Sequence, residues 1–264
     1  MLYPRITPCL LIHNKGLVKT VKFKDSKYVG DPINAVKIFN EKEVDELIVL
    51  DIDATVENRE PDYKMIENLA NECRMPLCYG GGIKTASHAQ KILALGVEKI
   101  AISSAVFDNP DLVREISTEV GSQSVVVVFD VKKKMFGGYD VYTHNAKNKI
   151  KQDLLELVER VQNLGAGEIV INSIDNDGLM NGYDLDLIEK VKNRLNIPMT
   201  ALGGAGVLED MGKAIDKFGI IGCAAGSLFV FKGKYKAVLI NYPNQEKKSQ
   251  IINKGLDNFR GIIS

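Results

Sequence analysis

The chain has 264 residues, with 34 basic and 34 acidic side chains. That length suits one large α/β domain or two smaller ones, and the balanced charge argues against a dedicated nucleic-acid binder. No apolar run approaches the ~20 residues of a membrane span, and Met1-Leu-Tyr-Pro-Arg5 lacks the basic-then-apolar profile of a signal peptide. Cys9, Cys73, Cys78 and Cys223 form no Cys-x-x-Cys pair, so the expected setting is the reducing cytoplasm.

Eight short apolar runs alternate with helix-like stretches. Strand one is read at 6–12, followed by a polar loop and a run at 17–23 that suggests a hairpin-like insertion. Asp31-Pro32 signals a helix start, because proline suits the first helical position behind an Asp cap; that helix runs to about Lys42. Strand two is read at 46–51 and strand three at 76–79, where it meets the triple glycine at 80–82. Residues 85–95 have helical spacing, and strand four follows at 99–103. Asn109-Pro110 is read as the next helix start, 124–130 as strand five, and 132–139 as a polar loop and return. An amphipathic helix at 154–164 is closed by Gly165. Strands six, seven and eight are read at 168–172, 198–202 and 220–225. In the tail, 235–243 looks extended and 244–259 helical.

One pattern occurs twice. Pro198-Met-Thr-Ala-Leu-Gly203-Gly204 echoes Pro76-Leu-Cys-Tyr-Gly-Gly81-Gly82, and the ending Gly226-Ser227 echoes Ser103-Ser104. Further back, Glu168-Ile-Val-Ile-Asn-Ser-Ile-Asp175 matches Glu46-Leu-Ile-Val-Leu-Asp-Ile-Asp53. Eight βα units with near-continuous apolar strands imply a parallel sheet covered on both faces. A doubly wound sheet fits too, but two like halves favour closure into a (β/α)8 TIM barrel of two homologous four-unit half-barrels. The expectation is a single domain over 1–264, with an atypical C-terminal segment from about 232.

Barrel active sites lie at the C-terminal ends of strands. Gly81, Gly82, Gly203 and Gly204 stand there, where bare backbone N–H groups can approach an anion. Ser103, Ser104, Gly226 and Ser227 would complete two cups. The glycines could merely make tight turns; their duplication at matched positions favours phosphate binding. Two such cups imply an elongated substrate with a phosphate at each end. Asp51, Asp130, Asp175 and Asp177 also end strands, and each could act as an acid or base or simply cap a loop. Asp130 is the strongest, since it ends a very apolar strand where burial would perturb its pKa. Its counterpart in the first half falls at about Leu11.

At the opposite end stand Arg5, Glu46, Lys99 and Glu168, either solvated strand ends or a ring of salt bridges. His13, His88 and His144 are scattered without zinc-ligand spacing, so no metal is expected. Lys132-Lys-Lys134 reads as a solvated loop.

These features together resemble the cyclase subunit of imidazole glycerol phosphate synthase, up to about Phe231. The carrying segments include Arg5-Ile-Thr-Pro-Cys-Leu, Val18-Lys19, Gly30-Asp-Pro, Gly80-Gly-Gly-Ile, Gly165-Ala-Gly-Glu-Ile, Ile174-Asp-Asn-Asp-Gly178 and Gly203-Gly-Ala-Gly206. The resemblance implies a lyase component of a glutamine amidotransferase, needing no cofactor. It implies one substrate phosphate at Gly82, Ser103 and Ser104 and the other at Asp177, Gly178, Gly204, Gly226 and Ser227, with Lys19 and Asp51 also in the substrate site. A glutaminase subunit would dock at the N-terminal face and pass ammonia through a gate formed by Arg5, Glu46, Lys99 and Glu168.

The departures are specific. Leu11 stands where the family has a catalytic aspartate, Ser103 where it has Asn, Cys78 where it has Thr, and Leu202 where it has Ser. Such changes are similar to those of a paralogue associated with acetamidino sugars of bacterial surface polysaccharide, working beside a glutaminase and a third amidotransferase-like protein. The alternatives are a genuine histidine-biosynthesis cyclase, forming imidazole glycerol phosphate and the aminoimidazole carboxamide ribotide, or a non-catalytic ammonia conduit that activates its glutaminase. A related two-phosphate sugar isomerase is a weaker match, because it relies on paired aspartates and has no use for the gate.

Overall fold

Strands too apolar to expose either face need cover on both, and a closed barrel inside a ring of helices supplies it. The computed structural model describes residues 3–263. Its eight parallel barrel strands are Arg5–His13, Leu47–Asp51, Leu77–Gly80, Lys99–Ile102, Val125–Lys133, Glu168–Ser173, Met199–Leu202 and Gly222–Ala225, called strands one to eight below. Each pairs with the next, and strand one closes on strand eight with Ile6 opposite Cys223. The protein is a (β/α)8 barrel.

Alternation along the strands separates two cores. Cys9, Ile48, Cys78, Ala101, Val126, Val128, Val170, Leu202 and Ala224 pack together inside the barrel. Their outward neighbours, among them Leu10, Val49, Tyr79 and Phe129, are buried in the larger core beneath the helices. Several helices start where a short polar side chain caps them. The Asp31 carboxylate accepts from Asn34 N at 2.9 Å at the start of Pro32–Glu41, and Thr85 Oγ1 accepts from His88 N at 3.2 Å at the start of Ala86–Ala94. Capping of this kind is worth about 1 kcal/mol per helix.

Several elements differ from the sequence reading. The Asn109-Pro110 pair does not open a helix: a short helix, Ala105–Asp108, ends before it, and the next is Leu112–Val120. Asn109 Oδ1 instead accepts from Asp111 N at 3.2 Å, a local turn that competes with helix. Strand five does not stop at Asp130. Lys132 and Lys133 pair with Asp140 and Tyr139, so the polar loop of the reading is the start of a hairpin continued by Tyr139–Thr143 and Asn148–Ile150. Backbone pairing is indifferent to lysines on a projecting strand. The insertion after strand one likewise holds two strands, Gly16–Val21 and Lys24–Gly30.

Helices Tyr63–Glu72 and Leu185–Lys192 had no signal in the reading. The first buries only Ile66 and Leu69, and the second packs its buried set, Leu187, Ile188 and Val191, into a single eight-residue helix. In the tail, Phe231–Lys232 pairs with Ala237–Val238, and helix Gln245–Ile263 packs against Leu208–Phe218. Tyr242 ties this tail to strand one, its hydroxyl donating to Ile6 O at 2.7 Å. No described helix is long and apolar enough to cross a membrane.

Candidate active site

At the C-terminal ends of the strands lies an open cavity with about 1270 Å³ of empty space, counting its mouth. Gly81, Gly82, Ser103 and Ser104 line one end, and Gly178, Gly203, Gly204, Gly226 and Ser227 the other; Lys19, Asp51, Asp130 and Asp177 line the cavity as well. The glycines are held by sterics. Gly81 has φ +125°, and a Cβ there would sit 2.5 Å from Asp51 O. At Gly226 a Cβ would come 1.8 Å from Lys19 Nζ, so the missing side chain is the space the lysine occupies.

Lys19 is 5% exposed, donates to Cys9 O at 3.3 Å, and has no carboxylate within salt-bridge distance among the described residues. A buried ammonium whose nearby carboxylate, Asp177, stays beyond ion-pair distance is costly unless an anion completes it. Asp177 accepts from Thr20 Oγ1 at 3.0 Å, which ties the strand-six loop to the strand-one hairpin. Burial raises the Asp177 carboxyl above its ordinary value, with Lys19 and Thr20 opposing. Burial also pushes the Cys9 thiol up to about 11, so it stays a neutral barrel-lining group.

Asp130 accepts from Asn172 Nδ2 at 3.0 Å, and the two are direct partners in the strand register. Burial pushes the Asp130 carboxyl up to about 7; the Asn172 hydrogen bond opposes this and Asp177 adds to it. A carboxyl poised there can hold or release a proton near neutral pH. Asn172, which the sequence reading did not single out, leaves its buried Oδ1 without a partner on the cavity wall.

Strands one and two carry the matched pair of the other half. Leu11 is the register partner of Leu50, as Asp130 is of Asn172. Both leucines pack on the barrel-lining cluster and line the same cavity. At this register level the wall is therefore polar at strands five and six and apolar at strands one and two.

The remaining strand-end carboxylates hold loops. Asp51 Oδ1 accepts from Asp53 N at 2.9 Å and Ala54 N at 3.0 Å, with Arg59 3.8 Å from Oδ2; burial raises its pKa. It faces the cavity while capping its own loop. Asp175 lies outside the cavity, its carboxylate accepting from Lys133 N at 2.8 Å to fasten the strand-five hairpin.

At the other end of the barrel Arg5, Glu46, Lys99 and Glu168 form a closed ring. Arg5 reaches Glu46 at 2.8 Å and Glu168 at 2.5 Å, and Lys99 reaches the same two at 2.7 and 2.9 Å. Glu168 is the most fully served, since Thr200 Oγ1 also donates to it at 2.6 Å. Burial works against its charge, but Arg5, Lys99 and Thr200 together hold its pKa below the ordinary value. Thr200 gave no signal in sequence, being an ordinary strand residue. Between ring and cavity stands the apolar layer that includes Cys78 and Leu202. No cluster of three or more potential metal ligands occurs among the described residues.

A family profile described as Histidine biosynthesis protein matches residues 5–236. A Vibrio vulnificus protein provisionally named imidazole glycerol phosphate synthase subunit hisF3 is 58% identical, covering 96% of this chain and 97% of its own. A Pseudomonas aeruginosa protein, provisionally named subunit hisF2, is 51% identical over 94% of this chain and 98% of its own. The imidazole glycerol phosphate synthase subunit HisF of Lactococcus lactis is 41% identical over 80% and 82%.

Proposed function

The chain belongs to the histidine biosynthesis protein family, as a HisF-like homologue of the imidazole glycerol phosphate synthase cyclase subunit, and we propose that it carries ammonia from a glutaminase to a bisphosphorylated acceptor. The glutaminase docks at the N-terminal face, over the ring of Arg5, Glu46, Lys99 and Glu168. Uncharged ammonia can cross the apolar layer above that ring, whereas ammonium is excluded by the cost of burying its charge. The cups at Gly82, Ser103 and Ser104 and at Gly178, Gly204, Gly226 and Ser227 hold the two phosphates, with Lys19 as counter-charge. Asp130 moves the proton.

The reaction itself has moved away from histidine-pathway cyclisation. One observation carries this: the Leu11–Leu50 pair stands in the register position that Asp130–Asn172 occupies in the other half. Leucine can neither give nor take a proton, and losing one member of an acid–base pair costs roughly 10²- to 10⁴-fold in rate. The acceptor in this reading is a precursor of an acetamidino sugar of surface polysaccharide, reached together with a third amidotransferase-like protein.

The test supplies the histidine-pathway bisphosphate with ammonium salt and assays imidazole glycerol phosphate. Turnover at least about 100-fold below an ordinary enzyme rate of ~10 s⁻¹ is expected. Turnover near that ordinary rate would overturn the divergence. The ring and apolar layer would serve equally a non-catalytic conduit, which differs in predicting that Asp130 is dispensable.

A further inference from the structure

We propose that His144 is the second proton-transfer group of the cavity, taking on the role that a carboxylate at position 11 would have had. This rests on the functional reading above and names a residue that reading does not use. Ammonia that adds to a carbon centre must shed a proton, and a departing oxygen must gain one; Asp130 alone would have to serve both in turn, whereas a second group serves them together.

The other titratable groups on the wall are engaged elsewhere or unsuited. Asp51 caps its own loop, Asp177 holds Thr20, Lys19 bonds to Cys9 O, and the Cys9 thiol stays neutral. His144 lines the same cavity. Its Nδ1 lies 3.0 Å from Thr143 Oγ1, and Nε2 has no partner among the described residues. A ring fixed through one nitrogen and open at the other is the arrangement a proton carrier needs.

The hairpin that continues strand five carries the ring to the cavity. Asp130 pairs with Tyr142 across the hairpin. His144 follows two residues later, as the first residue of the turn beyond Tyr139–Thr143, and both it and Asp130 line the cavity. The turn is also held in an unusual shape. His144, Asn145 and Ala146 all have positive φ, at 54°, 55° and 62°, a run that costs energy for residues other than glycine. Asn145 Nδ2 pins it across the mouth by donating to Ile52 O at 3.0 Å.

Two measurements on the full chain test this. Histidine-labelled protein is titrated by NMR, as the parent and as Asp130→Asn, with and without saturating inorganic phosphate. The charged groups sharing the cavity with the ring are Asp51, Asp130, Asp177 and Lys19. Phosphate should raise the His144 midpoint and Asp130→Asn should lower it, each by at least ~0.3 pH unit, while His88 stays put. A His144 midpoint indifferent to both would overturn the proposal, whatever the reaction is. In cells that depend on the protein, His144→Gln should then cut nitrogen transfer about 100-fold, with His88→Gln as the unaffected control. Full output from His144→Gln alongside lost output from Asp130→Asn would remove His144 while leaving the functional reading intact. Full output from both would remove that reading as well.

Discussion

The two halves of the barrel mouth share a scaffold and differ in chemistry. In the second half, Asp130 and Asn172 face each other across adjacent strands and join at 3.0 Å; in the first, Leu11 and Leu50 face each other in the same register. The glycine and serine positions that shape the two cups are kept on both sides. Scaffold and reactivity are thus separable. Glycines are fixed by backbone approach, as at Gly81, where any side chain collides with Asp51 O. A side chain pointing into an open cavity has no such constraint, so it changes without disturbing the fold.

The largest effect should come from removing the polar side. Asp130→Asn is expected to lower nitrogen transfer by roughly 10²- to 10⁴-fold, measured as pathway output in cells that depend on the protein. Undiminished output would reduce both sides of the mouth to walls of a conduit.

Breaking the bottom ring comes next. Glu168→Gln leaves Arg5 and Lys99 sharing one carboxylate and disturbs Thr200. A cost of about 3 kcal/mol is expected for so buried a partner, seen as a thermal midpoint lower by ~6–12 °C. No change in midpoint would mean that the ring contributes nothing to stability.

Restoring the missing carboxylate sharpens the contrast between the halves. Leu11→Asp should cost about 1–3 kcal/mol by denaturant titration, since the new carboxyl meets Leu50 instead of an amide. Adding Leu50→Asn should return roughly 1 kcal/mol. Strict additivity of the two substitutions would deny that the register pair acts as a unit.

The last contrast is in pH. The Asp130 carboxyl titrates at about 7 in the folded protein and near ~3.9 when unfolded. A raised acid pKa contributes stability that is full below about pH 4 and lost as pH rises to about 7. Asp130→Asn escapes this loss. The variant's thermal midpoint should match the parent's near pH 4 and exceed it by roughly 10 °C at pH 8. An advantage that shrinks with rising pH would mean that the carboxyl is not held high.

Much of this was legible in the chain. The duplicated Gly-Gly and small-residue endings located the two ends of the cavity, and the alternating charges at 5, 46, 99 and 168 located the ring, because both signals repeat with the strands. Asn172 and Thr200 were missed, since their significance is the neighbour they touch. His144 was passed over for a related reason: histidine spacing along the chain says nothing about a turn folded back over a cavity. Lys132 and Lys133 were read as loop because side-chain polarity was weighed where hairpin pairing decides.

The sequence by itself determined the barrel, its two-fold build and the place where the halves diverge. Apolar runs of strand length must be buried, and a repeated pattern must fold the same way twice. Only the tertiary structure decided which groups meet. It set Asp130 beside Asn172 and Leu11 beside Leu50, closed four charges into one ring, and brought His144 back to the mouth. Those contacts join residues from different strands and loops, and the closing of the barrel sets their distances.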